Sequence, residues 1–84
     1  MYYYETVPDA QEQIDALPAV ALPYYAELIA FMELTPWNGR SVNNKDPKAP
    51  MRIMPFGPHG EGMATYVIVE DPNRVVVVKV LWMD

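Results

Sequence analysis

Residues 51–82, MRIMPFGPHGEGMATYVIVEDPNRVVVVKVLW, decide the fold because most β-branched residues of this 84-residue chain lie there. Residues 57–62 and 71–74 contain the Gly, Pro, Asn and Asp that favour turns. They separate three apolar stretches, so the sequence predicts three consecutive antiparallel strands at 51–56, 63–70 and 75–82. The last stretch is apolar on both faces, which favours an inner strand.

The residues before this meander predict one short strand and two helices. Residues 2–7 are aromatic and β-branched, and Pro8 then ends the strand and opens a short amphipathic helix over 10–17. An apolar stripe over 18–35 predicts a longer helix that begins between 18 and 22 and stops before Pro36. A polar loop at 36–50 follows. We therefore expect an α+β fold of one domain, 1–84, with both helices on one face of a mostly antiparallel sheet and the other face open.

The charge and composition narrow the function classes. The net charge is −5 and there is no cysteine, which counts against strong non-specific nucleic-acid binding and removes disulfides and thiolate metal sites. All six cations nevertheless follow residue 39, so a local basic patch is expected. The first residues do not resemble a signal peptide and no apolar run is long enough to span a bilayer, so a soluble cytoplasmic protein is expected.

Metal, cofactor and nucleophile chemistry are not indicated by the motifs. His59 is the only histidine, and the glycines of 57–62 lie between two strands rather than between a strand and a helix. No serine, histidine and acid pattern suggests a triad. We expect neither a cofactor nor a metal site.

A sheet face with cations is the remaining candidate site. If Arg52, Thr65 and Lys79 project from the uncovered face, long cationic side chains could hold a phosphate there. By simple alternation Arg52 shares a face with Met54, and Lys79 shares one with Val75, Val77 and Leu81. Loop cations and tryptophans at the rim would complete a concavity that stacks a base: Arg40, Lys45, Lys48, Trp37 and Trp82.

Each of these residues also has a simpler interpretation. Arg52 and Lys79 could be solvated charges that pair with Glu70 or another carboxylate. His59 could be exposed in its turn rather than act as a general base, although its ordinary pKa would suit proton transfer. The two tryptophans could be packing residues at the ends of elements.

The chain resembles the RelE/ParE toxin superfamily of bacterial toxin-antitoxin pairs. The similarity is carried by MRIMPFG at 51–57, TYVIVE at 65–70 and VVVV at 75–78, together with the strand and helical hairpin before them. The resemblance implies an antitoxin partner. It also implies one of two activities, mRNA cleavage on the ribosome as in the RelE-like branch or gyrase inhibition as in the ParE-like branch.

The same resemblance implies roles for individual residues. Arg52 falls where RelE-like nucleases place a catalytic cation. As a hypothesis for a weak ribonuclease, Arg52 would stabilise the phosphate, His59 would act as acid or base, and Lys79 or Arg74 would assist. Met54 and Met63 stand where those nucleases usually have cations, so any RNA cleavage is expected to be weak. The alternative is a non-catalytic interaction module that binds a gyrase-type target or forms a homodimer through the open sheet face.

Overall fold

The computed structural model describes residues 1–43 and 45–83, and it shows an α+β domain, as the sequence predicts. The two α-helices are α1, Pro8–Asp15, and α2, Leu22–Leu34. Two short 3-10 helices, Ala19–Ala21 and Pro36–Asn38, precede and follow α2. The strands are β1, Tyr3–Thr6; β2, Arg40–Ser41; β3, Met51–Phe56; β4, Gly62–Glu70; and β5, Asn73–Trp82.

The five strands form one mixed sheet in the order β1-β5-β4-β3-β2. The predicted meander is present, because β3, β4 and β5 pair consecutively and antiparallel. Two strands extend the meander: the predicted N-terminal strand, β1, adds parallel to β5, and the short β2, which the sequence does not predict, adds antiparallel to β3. As expected from its apolar sequence, β5 is an inner strand.

Prolines set where both helices begin. Pro8 occupies the first turn of α1, where a missing backbone N–H leaves no donor unpaired within the helix. Pro23 lies in the first turn of α2 for the same reason, and the helix ends at Leu34, just before Thr35 and Pro36. Within the described residues, no single helix has the length and apolarity to cross a membrane; α1 and the segment 19–34 meet that test only as a pair, and the pair is bent by 109°.

The helices cover one face of the sheet, which we call the covered face. Tyr25, Leu28 and Met32 of α2 are buried in the same core as every second residue of the central strands. In β4 the buried set is Gly62, Ala64, Tyr66 and Ile68, and the intervening residues are only half-buried. The second face, called the open face, carries no helix in the described part of the chain.

A β-bulge in β5 changes which residues share a face. Thr65 is opposite Lys79, whereas the next residue of β4, Tyr66, is opposite Val77, so Val78 is an extra residue. Val75 and Val77 therefore face the helices, while Lys79 turns to the open face. The prediction that Lys79 shares a face with Val75 and Val77 is wrong because simple alternation does not survive the bulge.

Candidate protein-binding surfaces

Arg52 lies on the covered face and is only 7% exposed. Its Nε donates to the carbonyl of Ala49 at 3.0 Å, Nη1 to Gly39 at 3.0 Å and Nη2 to Pro47 at 2.5 Å. The prediction that Arg52 projects from the open face is therefore wrong. Its strand neighbour across the sheet is the buried Tyr66, and both side chains point toward the segment that follows α2.

Arg52 belongs to a group of side chains that fixes the 36–50 loop to the sheet. We call Arg52, Tyr66, Trp37 and Glu70 the loop-anchoring cluster. Trp37 lies over the guanidinium, with 4.8 Å between Arg52 Cζ and the ring centroid, and its Nε1 donates to Glu70 at 2.6 Å. Tyr2 also donates its hydroxyl to Glu70, at 2.9 Å. The guanidinium of Arg52, the ring of Trp37 and the carboxylate of Glu70 thus connect the loop to the meander and to Tyr2 near the N-terminus.

Tyr66 provides the most buried anchor of this cluster. Its hydroxyl donates to the carbonyl of Pro36 at 2.6 Å, and both residues are buried. Burial raises the pKa of Tyr66 to about 12, although the nearby Arg52 charge opposes the increase. Gly39 lies so close that a Cβ there would overlap the Tyr66 hydroxyl and approach Arg52. The anchor therefore requires a glycine at position 39.

Apart from Arg40, the loop cations and both tryptophans lie elsewhere than the predicted concavity. Because Arg52 binds the carbonyls of Pro47 and Ala49, the loop backbone around Lys48 lies against the covered side of the sheet. Trp37 stacks in the loop-anchoring cluster on that side. Trp82 faces Gly62 of β4 and packs against Phe56, with ring centroids 5.6 Å apart. The expectation that the loop carrying Lys45 and Lys48 arches over the open face, with the tryptophans at its rim, is wrong.

The open face brings two predicted cations into one cross-strand row. Arg40, Ile53, Thr65 and Lys79 are successive partners on β2, β3, β4 and β5. Three strand spacings separate the two end residues, which places their Cα atoms about 14 Å apart. The ion pairs of the described residues join Arg74 to Glu5 and His59 to Glu61, and so leave Arg40 and Lys79 without a carboxylate. Thr65 lies between them, as predicted.

Apolar side chains lie on both sides of this cross-strand row. Met51, Val67 and Val76 form the neighbouring row, and Met63 lies opposite Leu81 on the other side. Met51 and Leu81 are exposed, and the others are half-buried. Burying such a face releases water from apolar surface, which is the main favourable term in protein association. We call this cross-strand row together with these apolar neighbours the open-face patch.

The four residues predicted to act in catalysis are not brought together. His59 is in the turn after β3, where its side chain is 83% exposed and its Nδ1 is 3.6 Å from Glu61. Arg74 is at the opposite end of β5 and pairs with Glu5 at 3.2 Å. About 25 Å of strand separates these two ends. Arg52 is on the covered face and Lys79 on the open face, so no single substrate atom could meet all four.

The acid next to His59 is held in its ionised form. Backbone N–H groups, its own and that of His59, lower the pKa of Glu61, and the His59 N–H donates to its Oε1 at 2.8 Å. This bond closes the turn between β3 and β4. Among the described residues, no three His, Cys, Asp or Glu side chains are grouped closely enough to hold a metal ion.

The sequence interpretation missed an apolar groove between α2 and β3. Its volume is about 550 Å³, and Leu28 and Phe31 line one wall while Met54, Phe56 and Pro58 line the other. The signal was available in α2 itself, because residues outside the core stripe are apolar as well: Leu22, Ala26, Ala30, Phe31 and Leu34. A helix that is apolar all round is normally buried on all sides.

Comparison of the chain with protein-family models, curated proteins and solved structures gives no match.

Proposed function

We propose that this chain is a RelE/ParE-like toxin-family domain that works by binding a protein, and that its partner is a small cytoplasmic antitoxin. The open-face patch carries this proposal. It combines two exposed cations, Arg40 and Lys79, with apolar neighbours on an uncovered sheet. The order strand, helix, helix and antiparallel meander, which the resemblance implies, supports the choice of family.

The patch favours an acidic segment with apolar residues. A partner that buries Ile53 and Val67 brings its own charges next to Arg40 and Lys79. Carboxylates of the partner would be attracted to these two cations, and its cations would be repelled. The rim position of both cations means that they would mainly set the association rate and the choice of partner, while the apolar residues supply the affinity.

RNA cleavage is the weaker part of the resemblance. A phosphate would have to compete with three backbone carbonyls that accept from Nε, Nη1 and Nη2 of Arg52. Breaking these bonds would leave carbonyls unpaired, the buried carbonyl of Gly39 among them. This favours protein binding over catalysis as the activity of the domain.

Coexpression with the product of an adjacent small reading frame tests the proposal, and the lack of any such frame would count against it. A tagged chain should copurify with that product, and Lys79→Glu combined with Arg40→Glu should reduce the association by at least about tenfold, because each reversal costs a rim contact and adds repulsion. The single Lys79→Glu variant has a matched control in Lys48→Glu, which makes the same charge change on the loop at the covered side and should leave binding unchanged.

The other outcomes are informative. Equal losses from Lys48→Glu and Lys79→Glu would show that only the total charge matters, which contradicts a specific patch. A concentration-dependent dimer that Lys79→Glu disrupts would assign the open-face patch to a second copy instead of an antitoxin. Binding of gyrase by the purified chain, lost in the same variant, would assign the patch to a target enzyme.

A further inference from the structure

The groove between α2 and β3 lies on the opposite side of the sheet from the open-face patch. Its wall on α2 contains Leu28 and Phe31, and Phe31 is 52% exposed although it is one of the largest apolar side chains of the helix. Leu34, one turn further along, is 65% exposed. These side chains extend the apolar surface from the groove along the outer side of α2.

The size and shape of the groove suit a helix rather than a flat surface. Its volume of about 550 Å³ has room for several large apolar side chains. A partner helix presents such side chains three and four residues apart along one face, and a helix laid along α2 would place successive ones in the groove. Ridges of one helix pack into the grooves of the other in this arrangement.

The charge of the helical layer determines the chemistry of that partner. The ionisable residues of α1 and α2, apart from tyrosines, are all acids: Asp9, Glu12, Asp15, Glu27 and Glu33. Glu27 lines the groove directly. A basic helix would be attracted to this layer, whereas the anionic surface of a cytoplasmic membrane would be repelled by it.

We propose that the groove between α2 and β3 is a second docking site, which binds a basic amphipathic helix of a protein partner. Its apolar residues fill the space between Phe31 and Met54, and its Lys or Arg residues lie beside Glu27. The domain then has two faces of opposite preference. The sheet side takes an acidic segment and the helical side a basic one, so one copy could hold two different chains at once.

A synthetic peptide provides a direct test. A fluorescent Leu/Lys helix of about five turns is titrated with the purified chain, and binding is followed by anisotropy. Phe31→Ser should weaken binding by about tenfold or more, because a buried phenyl ring is lost from the contact. Glu27→Gln should weaken it about two- to fivefold at low salt, and this difference should shrink as salt is raised.

Matched controls separate a docking site from general stickiness. Val20→Ser removes an exposed apolar side chain of the same layer that does not line the groove, and Asp71→Asn removes an exposed acid from the turn between β4 and β5, outside the helical layer; both should bind the peptide like the parent chain. A peptide with Glu in place of Lys should bind at least about tenfold more weakly.

Three results would overturn the proposal. The first is no binding by the parent chain at micromolar concentration, and the second is equal loss in the groove variants and their controls. The third is concentration-dependent self-association of the parent chain that Phe31→Ser abolishes, which would assign the groove to a second copy. Because Lys79 and Arg40 are on the other face, failure here leaves the antitoxin proposal intact, and the reverse also holds.

Discussion

Arg52 and Lys79 are both cations of the central meander, yet the structure gives them opposite environments. Arg52 on β3 is buried, with its donors bonded to the carbonyls of Gly39, Pro47 and Ala49. Lys79 on β5 is exposed beside Thr65, without a carboxylate partner among the described residues. The same residue class therefore holds a loop on one face of the sheet and remains available to a partner on the other.

The difference shows how a sheet assigns roles to charged residues. Which face a side chain occupies follows from strand alternation and from bulges, but the consequence depends on what covers that face. The 36–50 loop supplies carbonyls to the covered face, so a guanidinium there becomes structural. The open face has no such cover, so a cation there is free to act between molecules.

The largest expected effect is the loss of stability when the Arg52 side chain is replaced. Arg52→Met should lower the free energy of unfolding by about 3–5 kcal/mol, because three carbonyls lose charge-assisted hydrogen bonds and the carbonyl of Gly39 is left buried and unpaired. Urea unfolding measures the change. Lys79→Met is the matched control and should change stability by less than about 0.5 kcal/mol. Similar losses in the two variants would contradict the assignment of separate roles.

A methyl group at position 39 should have the next largest effect. Gly39→Ala should cost about 1–3 kcal/mol, because its Cβ would overlap the Tyr66 hydroxyl and push the loop away from Arg52. The control is the same change in a Tyr66→Phe background, where the hydroxyl is absent and the added cost should be smaller. If the two costs simply add, the Cβ at position 39 does not clash with the Tyr66 hydroxyl.

The stability of the chain should fall at alkaline pH. The pKa of Tyr66 is raised from 10.0 to about 12 by burial, so between these values the unfolded chain releases the phenolic proton while the folded chain retains it. The contribution is complete below pH 10 and is lost as pH rises toward 12, on the order of 2 kcal/mol. Burial also raises the pKa values of Tyr4 and Tyr25, which adds to the same trend.

Comparing pH profiles isolates the Tyr66 share of this effect. Tyr66→Phe loses the bond to Pro36 and should be less stable at pH 7, but its unfolding free energy should decline less between pH 10 and pH 12 than that of the parent chain. Parallel profiles of the two proteins would show that Tyr66 ionises with an ordinary pKa, which would contradict its burial under Pro36.

The smallest expected effect concerns the outer part of the loop-anchoring cluster. Glu70→Gln should cost less than about 1 kcal/mol, because its contacts with Tyr2 and Trp37 are exposed to solvent. The tryptophan fluorescence should change with little change in the urea midpoint. A loss as large as that of Arg52→Met would mean that the anchor depends on the carboxylate rather than on the guanidinium.

Much of the fold follows from local sequence patterns. The strands near 51–56, 63–70 and 75–82, the proline-started helices and the inner position of the valine-rich strand are all as predicted. Each depends on turn residues, periodicity or proline chemistry within a few positions of the element. The parallel addition of β1 and the two-residue β2 depend on distant partners, and local patterns do not reveal them.

The candidate site was harder to predict because it depends on two non-local features. In the run Val75 to Val78 every residue is apolar, so the sequence shows no alternation from which the bulge that redirects Lys79 could be inferred. The partners of Arg52 are backbone carbonyls of a loop, and carbonyls have no sequence signature. The groove did have a signal in the apolar outer side of α2, which the assignment of that helix to the core concealed.

The Nε–H of Arg52 provides the most direct test of the central claim, that this guanidinium holds the loop and does not bind phosphate. In a nitrogen-15 NMR spectrum, the bond to Ala49 should keep this proton in slow exchange with water, and an added RNA oligonucleotide should leave its resonance unmoved. A resonance that exchanges as fast as that of the exposed Arg40, and shifts with RNA, would contradict the account.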